Sequence, residues 1–201
     1  MTTMRILAAT AFATAIAVTG VHAQQQTQRV RGVIDKVDGN TLVVRAGAGE
    51  VVLTLADNAM VVGVVRGSLA DIKENSYIGS GALPQPDGTQ KAVEVHIFAE
   101  SQRGTGDGHR SNWDGAPGGT MTNGAVGQTV SGVDGSVITV KYKDGEKKVT
   151  VGPGVPVVRY EIGSRSELKP GAAVNVAAAT KKPDGTFTAA RINVGRDGLV
   201  P

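Results

Sequence analysis

Asp107, His109 and Asp114 lie within one short stretch of the chain and carry oxygen and nitrogen donors of the kind that hold a divalent metal. Arg103, Arg110 and Trp113 share that stretch, and arginine and tryptophan are the side chains that most often anchor an interface. Trp113 is the only tryptophan in the chain. Zinc and copper sites ask for two or three imidazole or thiolate donors. This stretch has one histidine and the chain has no cysteine, so no metal is expected, and Asp107, His109 and Asp114 are the residues to watch if one binds. The six residues admit three readings. They form a binding surface, Trp113 packs down as a staple between two domains with Arg110 and Asp114 paired beside it, or the stretch is a mobile linker. A plain flexible tether would need neither Trp113 nor His109.

Other chemistry finds little support. The chain has no Gly-x-Ser-x-Gly elbow, no His-Glu-x-x-His string and no phosphate-binding P-loop. Gly104-Thr105-Gly106-Asp107-Gly108 is followed by glycine-rich coil instead of the helix that would aim amides at a phosphate. Asp38, Asp87, Asp134 and Asp184 each precede a glycine, the setting in which an aspartate caps its own turn. No catalytic residue is assigned, no cofactor is expected, and the chain reads as a non-enzyme. His96 has Asn193 as its counterpart in the repeat described below, which reads as a solvated outward position. A formal charge of +3 and an aromatic fraction of 3% argue against the basic groove and stacking platforms of a nucleic-acid binder.

The elements that would position these residues come in two copies. Val37-Asp38-Gly39-Asn40-Thr41-Leu42 recurs as Val133-Asp134-Gly135-Ser136-Val137-Ile138, at an offset of 96 residues. Leu69-Ala70-Asp71-Ile72-Lys73 meets Arg165-Ser166-Glu167-Leu168-Lys169 at the same offset. Pro86-Asp87-Gly88-Thr89 meets Pro183-Asp184-Gly185-Thr186 one residue later. A tandem duplication is expected, with copies at roughly 29–98 and 126–195. In the second copy Ile138, Val140 and Tyr142 alternate with Thr139, Lys141 and Lys143, the period-two pattern of a strand with one wet face. Asp144-Gly145 signals a hairpin, after which Val149 and Val151 continue the inward face. Leu42, Val44, Leu53 and Leu55 hold the matching positions in the first copy. The only helical signals are one turn long, Ser164 with Glu167 and Ser68 with Asp71. The expected fold is all-β: two tandem small OB-like five-stranded barrels, each with at most a one-turn helix.

The Val-Asp-Gly turn, the Leu168-Lys169-Pro170-Gly171 turn and Pro-Asp-Gly-Thr before the last strand resemble the domain of unknown function 5666 family of small exported bacterial β-domains. The resemblance covers both copies and is clearer in the second, because the first has Ile72-Lys73-Glu74-Asn75 in place of the Leu-Lys-Pro-Gly turn. It implies an OB-like fold and brings no catalytic residues with it.

Met1 to Ala23 reads as a secretory signal peptide, with Arg5 ahead of an apolar run from Ile6 to Val18 and a cut after Val21-His22-Ala23. The run is too short for a membrane span, for which ~20 strongly apolar residues are needed. The expected organisation is a signal peptide at 1–23, a first OB-like domain at 24–98, a glycine-rich interdomain segment at 99–125 and a second OB-like domain at 126–201. The expected role is that of a periplasmic or secreted, non-catalytic binding or adaptor protein of the bacterial envelope. Its partner would be an envelope protein or a small ligand, with Arg103, Asp107, His109, Arg110, Trp113 and Asp114 as the binding surface. A periplasmic small-ligand or metal-handling protein using the same segment is the alternative.

Overall fold

The computed structural model describes residues 27–132 and 135–201. The expected signal peptide and the turn residues Val133 and Asp134 lie outside them. Twelve strands account for most of the described chain. The first half supplies β1 (Thr27–Asp38), β2 (Thr41–Ala46), β3 (Gly49–Arg66), β4 (Tyr77–Pro84) and β5 (Gln90–Ile97). The second supplies β6 (Gly108–Trp113), β7 (Gly119–Gly132), β8 (Gly135–Tyr142), β9 (Gly145–Val151), β10 (Val157–Ile162), β11 (Ala173–Lys181) and β12 (Phe187–Gly195). The helical content of the described residues is three single 3-10 turns, at Leu69–Asp71, Glu100–Gln102 and Arg165–Glu167. The first and last begin where the sequence signals them: the Ser68 amide donates to Asp71 and the Ser164 amide donates to Glu167, each at 2.8 Å.

Strands β1, β2, β3, β12 and β11 close into a five-stranded barrel. Neighbours run antiparallel except β3 and β12, which are parallel and complete the ring. This is a Greek-key closure of the OB kind. The alternating apolar positions point inward as expected: Leu42, Val44, Leu53 and Leu55 are fully buried. They pack against Val174, Val176, Ile192 and Val194. A second set of strands repeats the order as β7, β8, β9, β5 and β4, with β5 reaching β9 in parallel through Gln90 and Lys91 alone. Its core joins Ile138, Val140, Val149 and Val151 to Ile78, Val95 and Ile97.

Neither set of strands is one copy of the repeat. The closed barrel takes three strands from the first half and two from the second, and the other set takes three from the second and two from the first. The continuous divisions expected at 24–98 and 126–201 are therefore corrected to an exchange of the final hairpin between the halves. β3 runs for 18 residues but bulges midway, where Leu55 partners Ala189 and Met60 partners Arg191, five residues against two. In the second half the equivalent run is broken into β9 and β10 by Gly152-Pro153-Gly154, since proline has no N–H to give a ladder. β3 and β10 then pair with each other from Val62–Ile162 to Arg66–Val158, joining the two sets.

The segment 99–125 also differs from the expected glycine-rich coil. It holds the Glu100–Gln102 turn, all of β6 and the start of β7. Hidden within it is the true beginning of the second copy. Gly32 of β1 and Gly124 of β7 do the same work: a Cβ at Gly32 would run into the Arg45 carbonyl oxygen, and one at Gly124 into that of Lys141. These glycines are 92 residues apart, whereas Arg45 and Lys141 are 96 apart. The difference is taken up in the longer β7–β8 hairpin, which closes at Gly132 and Gly135.

Candidate functional site

The register of the strands lines up polar side chains in two rows on the outer faces of the two sets. Arg31, Asn175, Asn193 and Val62 are successive cross-strand partners over β1, β11, β12 and β3. Asn123, Gly79, His96 and Val158 are the corresponding partners over β7, β4, β5 and β10. Side chains of such neighbours stand about 5 Å apart. Gly79 makes room in its row, for a Cβ there would sit 2.7 Å from Asn123 Oδ1 and 3.1 Å from Phe98 Cε2. Arg31, Asn175 and Asn193 of the first row and Asn123, His96 and Val158 of the second line a crevice of about 820 Å3 between the two sets of strands. Known ligand pockets span ~300–1,000 Å3.

Equivalent positions in the two rows carry different chemistry. On β5, Glu94 Oε1 lies 2.8 Å from His96 Nε2, a contact that is an ion pair when the imidazole is protonated. At the matching places on β12, Arg191 Nε donates to Asn193 Oδ1 at 3.2 Å. The β5 wall therefore presents a carboxylate beside an imidazole where the β12 wall presents a guanidinium beside an amide. Tyr160 stands at the junction: its ring stacks on His96 at 5.2 Å, meets Phe98 edge-on at 5.2 Å, and lies 5.5 Å beneath the Arg191 guanidinium. Burial pushes the Tyr160 hydroxyl up to about 12. Burial also lowers the Arg191 pKa, the response of a cation short of solvent. For Glu94 burial acts upward, but the hydrogen bond and charge of His96, aided by Arg31 and Arg29, hold the carboxyl below its usual value.

Three of the six residues singled out by sequence reach this crevice. Trp113 is 9% exposed, and its ring lies on Gly81 of β4 and on Gly115 and Gly119. These three glycines lie on the β4, β6 and β7 side of the crevice. Asp114 links the two sets, with its Oδ2 2.9 Å from Arg29 Nε of β1, close enough to pair charges though off the line of a hydrogen bond. The expected pairing of Asp114 with Arg110 is thereby corrected. The Arg110 guanidinium rests against Gly106, and among the described residues neither it nor Arg31 has an ion pair or side-chain hydrogen bond.

The other three serve the surrounding frame. Arg103 pairs with Glu100, donates to the Asn75 carbonyl at 2.8 Å and lies over the Tyr77 ring. Asp107 accepts from the Lys143 amide at 2.8 Å and from the Tyr77 hydroxyl at 3.2 Å. Burial, and then the Asp107 charge, push that hydroxyl up to about 12. His109 meets Thr122 Oγ1 at 2.8 Å and stacks on Tyr142, and burial followed by the charge of Lys147 lowers its pKa. Asp107, His109 and Asp114 do not converge, and among the described residues no group of three potential metal ligands forms.

Sequence reading missed Arg29, Arg31, Glu94, His96, Tyr160, Arg191 and the asparagines. His96 is corrected from a solvated position to a side chain only 16% exposed, and Asn193 from its solvated equivalent to one 7% exposed. The i, i+2 pairs Glu94/His96 and Arg191/Asn193, at matching places in the repeat, were the available signal. The aspartate turns are as expected: the Thr89 amide donates to Asp87 at 3.0 Å and the Thr186 amide to Asp184 at 2.9 Å. No helix among the described residues is long and apolar enough to cross a membrane. Comparison with protein-family models, with curated proteins and with solved structures gives no match for this chain.

Proposed function

We propose that this protein is an exported, non-catalytic binding protein of the bacterial envelope, and that the crevice between its two sets of strands is where the ligand sits. The observation that supports this reading most is the convergence of Arg31, Arg110 and Arg191 with Tyr160 and Trp113 on one cavity of ligand size. Directional charged donors fix a ligand's orientation while aromatic faces supply contact area. The exported location rests on the signal peptide read at 1–23 and on the resemblance of both copies to an exported family. The outward faces of β-barrels commonly carry binding, and the polar rows on these faces belong to no turn or core requirement.

Because Trp113 is the sole tryptophan and lines the crevice, its emission reports on occupancy directly. Purified mature protein is titrated with the low-mass fraction of an envelope extract. A saturable change in Trp113 emission is expected, and its loss in an Arg110→Gln variant places the ligand in the crevice. An emission spectrum indifferent to every fraction would overturn the reading.

A further inference from the structure

We infer that the open edge of β1 at Gln28–Arg31 takes an extended segment of a partner protein as an added strand, with an apolar side chain seated beside Val30 and neutral residues flanking it. The inference goes beyond the crevice reading, and it rests on the cleavage expected after Ala23.

The second half of the molecule shows how such an edge is filled. By the spacing of Gly32 and Gly124, Gln28–Arg31 of β1 corresponds to Thr120–Asn123 of β7. Thr120–Asn123 is paired on both edges, with β4 and with β6. Gln28–Arg31 has β11 on one edge and, among the described residues, no strand on the other, because β2 joins β1 only from Gly32 onward. An unpaired edge presents N–H and C=O groups at strand spacing and is a template for a further strand. At the same spacing β6 corresponds to residues 16–21, inside the expected signal peptide. Once that peptide is removed, residues 24–26 alone precede β1, fewer than the five that link β6 to β7. The mature chain therefore has no preceding strand of its own to lay on this edge.

A groove of about 380 Å3 adjoins the edge, lined by Gln28–Arg31 and by Ala46, Ala48 and Val51 of the β2–β3 hairpin. Its chemistry says what fills it. In β6 the residue opposite Thr122 is His109, which meets the Thr122 hydroxyl, stacks on Tyr142 and feels the charge of Lys147. The residues at the matching places in the first half are Val30, Ala46 and Val51. A polar surround has become an apolar one, with alanine where the tyrosine ring would be, so the strand that docks here places an apolar side chain opposite Val30. Its flanking residues lie opposite Arg29 and Arg31. Asp114 pairs with Arg29, and the Glu94 charge acts on both arginines, so neutral flanks suit them and cationic ones are repelled. A second copy fits poorly for the same reason. Symmetric antiparallel pairing of this edge with itself sets Arg29 opposite Arg29 or Arg31 of the other copy.

The test uses the mature chain and the peptide acetyl-Ser-Thr-Val-Thr-Ser-amide, followed by calorimetry and by amide hydrogen exchange. The peptide is expected to bind saturably and to slow exchange within Gln28–Arg31 by about tenfold or more. Aspartate in place of the peptide's valine, or lysine in place of both its threonines, is expected to weaken binding by about tenfold or more. Val51→Lys, which gives the groove the residue of the second half, is expected to do the same. The altered peptides leave the protein untouched, so they decide the matter even if that variant does not fold. No protection within Gln28–Arg31 overturns the inference, and so does equal binding by either altered peptide. Protection that appears there without peptide as the protein is concentrated gives the edge to a second copy and overturns it too. N-terminal sequencing of the exported protein reads the cleavage on its own.

Discussion

Val64 and Tyr160 face each other across the antiparallel pair of β3 and β10, and they are 96 residues apart, the spacing at which the Val-Asp-Gly motif recurs. On either side Val62 opposes Ile162 and Arg66 opposes Val158, and swapping the two copies turns one of these pairs into the other. A local two-fold axis thus passes between Val64 and Tyr160. The crevice opens beside it, which is why equivalent residues such as Arg191 and Glu94 confront each other there.

Tyr160 couples the axis to the crevice through His96, Phe98 and Arg191. Tyr160→Ala is expected to destabilise the protein by about 2–4 kcal/mol through lost aromatic packing, and Tyr160→Phe by under ~1 kcal/mol. Urea unfolding of the two variants checks the difference, and equal losses would contradict it.

The exchanged hairpins predict how the molecule comes apart. Cleaved at Gly104, each part has three strands of one set and a hairpin belonging to the other, with its core half missing. Neither part is expected to be a folded monomer alone, whereas mixing the two restores a one-to-one complex. Light scattering with circular dichroism reads the outcome, and a folded monomeric half would refute the exchange.

Trp113 depends on glycines beneath its ring. A Cβ at Gly81 would stand 2.5 Å from the indole Cη2. Gly81→Ala should therefore push the ring outward, moving Trp113 emission to longer wavelength and costing roughly 1–3 kcal/mol. An unshifted spectrum would show that the indole does not rest there.

Glu94 sets an acid-side dependence. Burial raises its carboxyl pKa, but His96, with Arg31 and Arg29, more than offsets that, so the folded value falls below 4.5. A group whose pKa drops on folding contributes stability that is fully present above the unfolded value and lost as pH falls through the folded one. The urea midpoint should decline below about pH 4.5. Glu94→Gln should decline less over that window, and parallel curves for the two proteins would exclude the contribution.

Zinc is expected to leave the melting temperature unchanged, because a ligand that does not bind the native state cannot stabilise it. Asp107, His109 and Asp114 are committed to Lys143, Thr122 and Arg29 respectively. Stoichiometric zinc uptake that His109→Ala abolishes would contradict this.

The sequence by itself determined the local units. Strand alternation at Leu42, Val44, Ile138 and Val140, the aspartate turns at Asp87 and Asp184, and the one-turn helical stops depend on neighbours a few residues away, and period and turn chemistry record such neighbours directly. From these the all-β class and the closed five-stranded barrel could be foreseen. Which hairpin completes which ring was not written locally, because Phe187 beside Leu53 and Gln90 beside Val149 satisfy the same ladder and the same alternation as unexchanged pairs would. The long-range pairing of β3 with both β12 and β10 decided between them. The crevice had to wait for that decision: Arg31, Asn175, Glu94, His96 and Arg191 are scattered along the chain as ordinary outward residues, and only the exchange turns their faces toward one another.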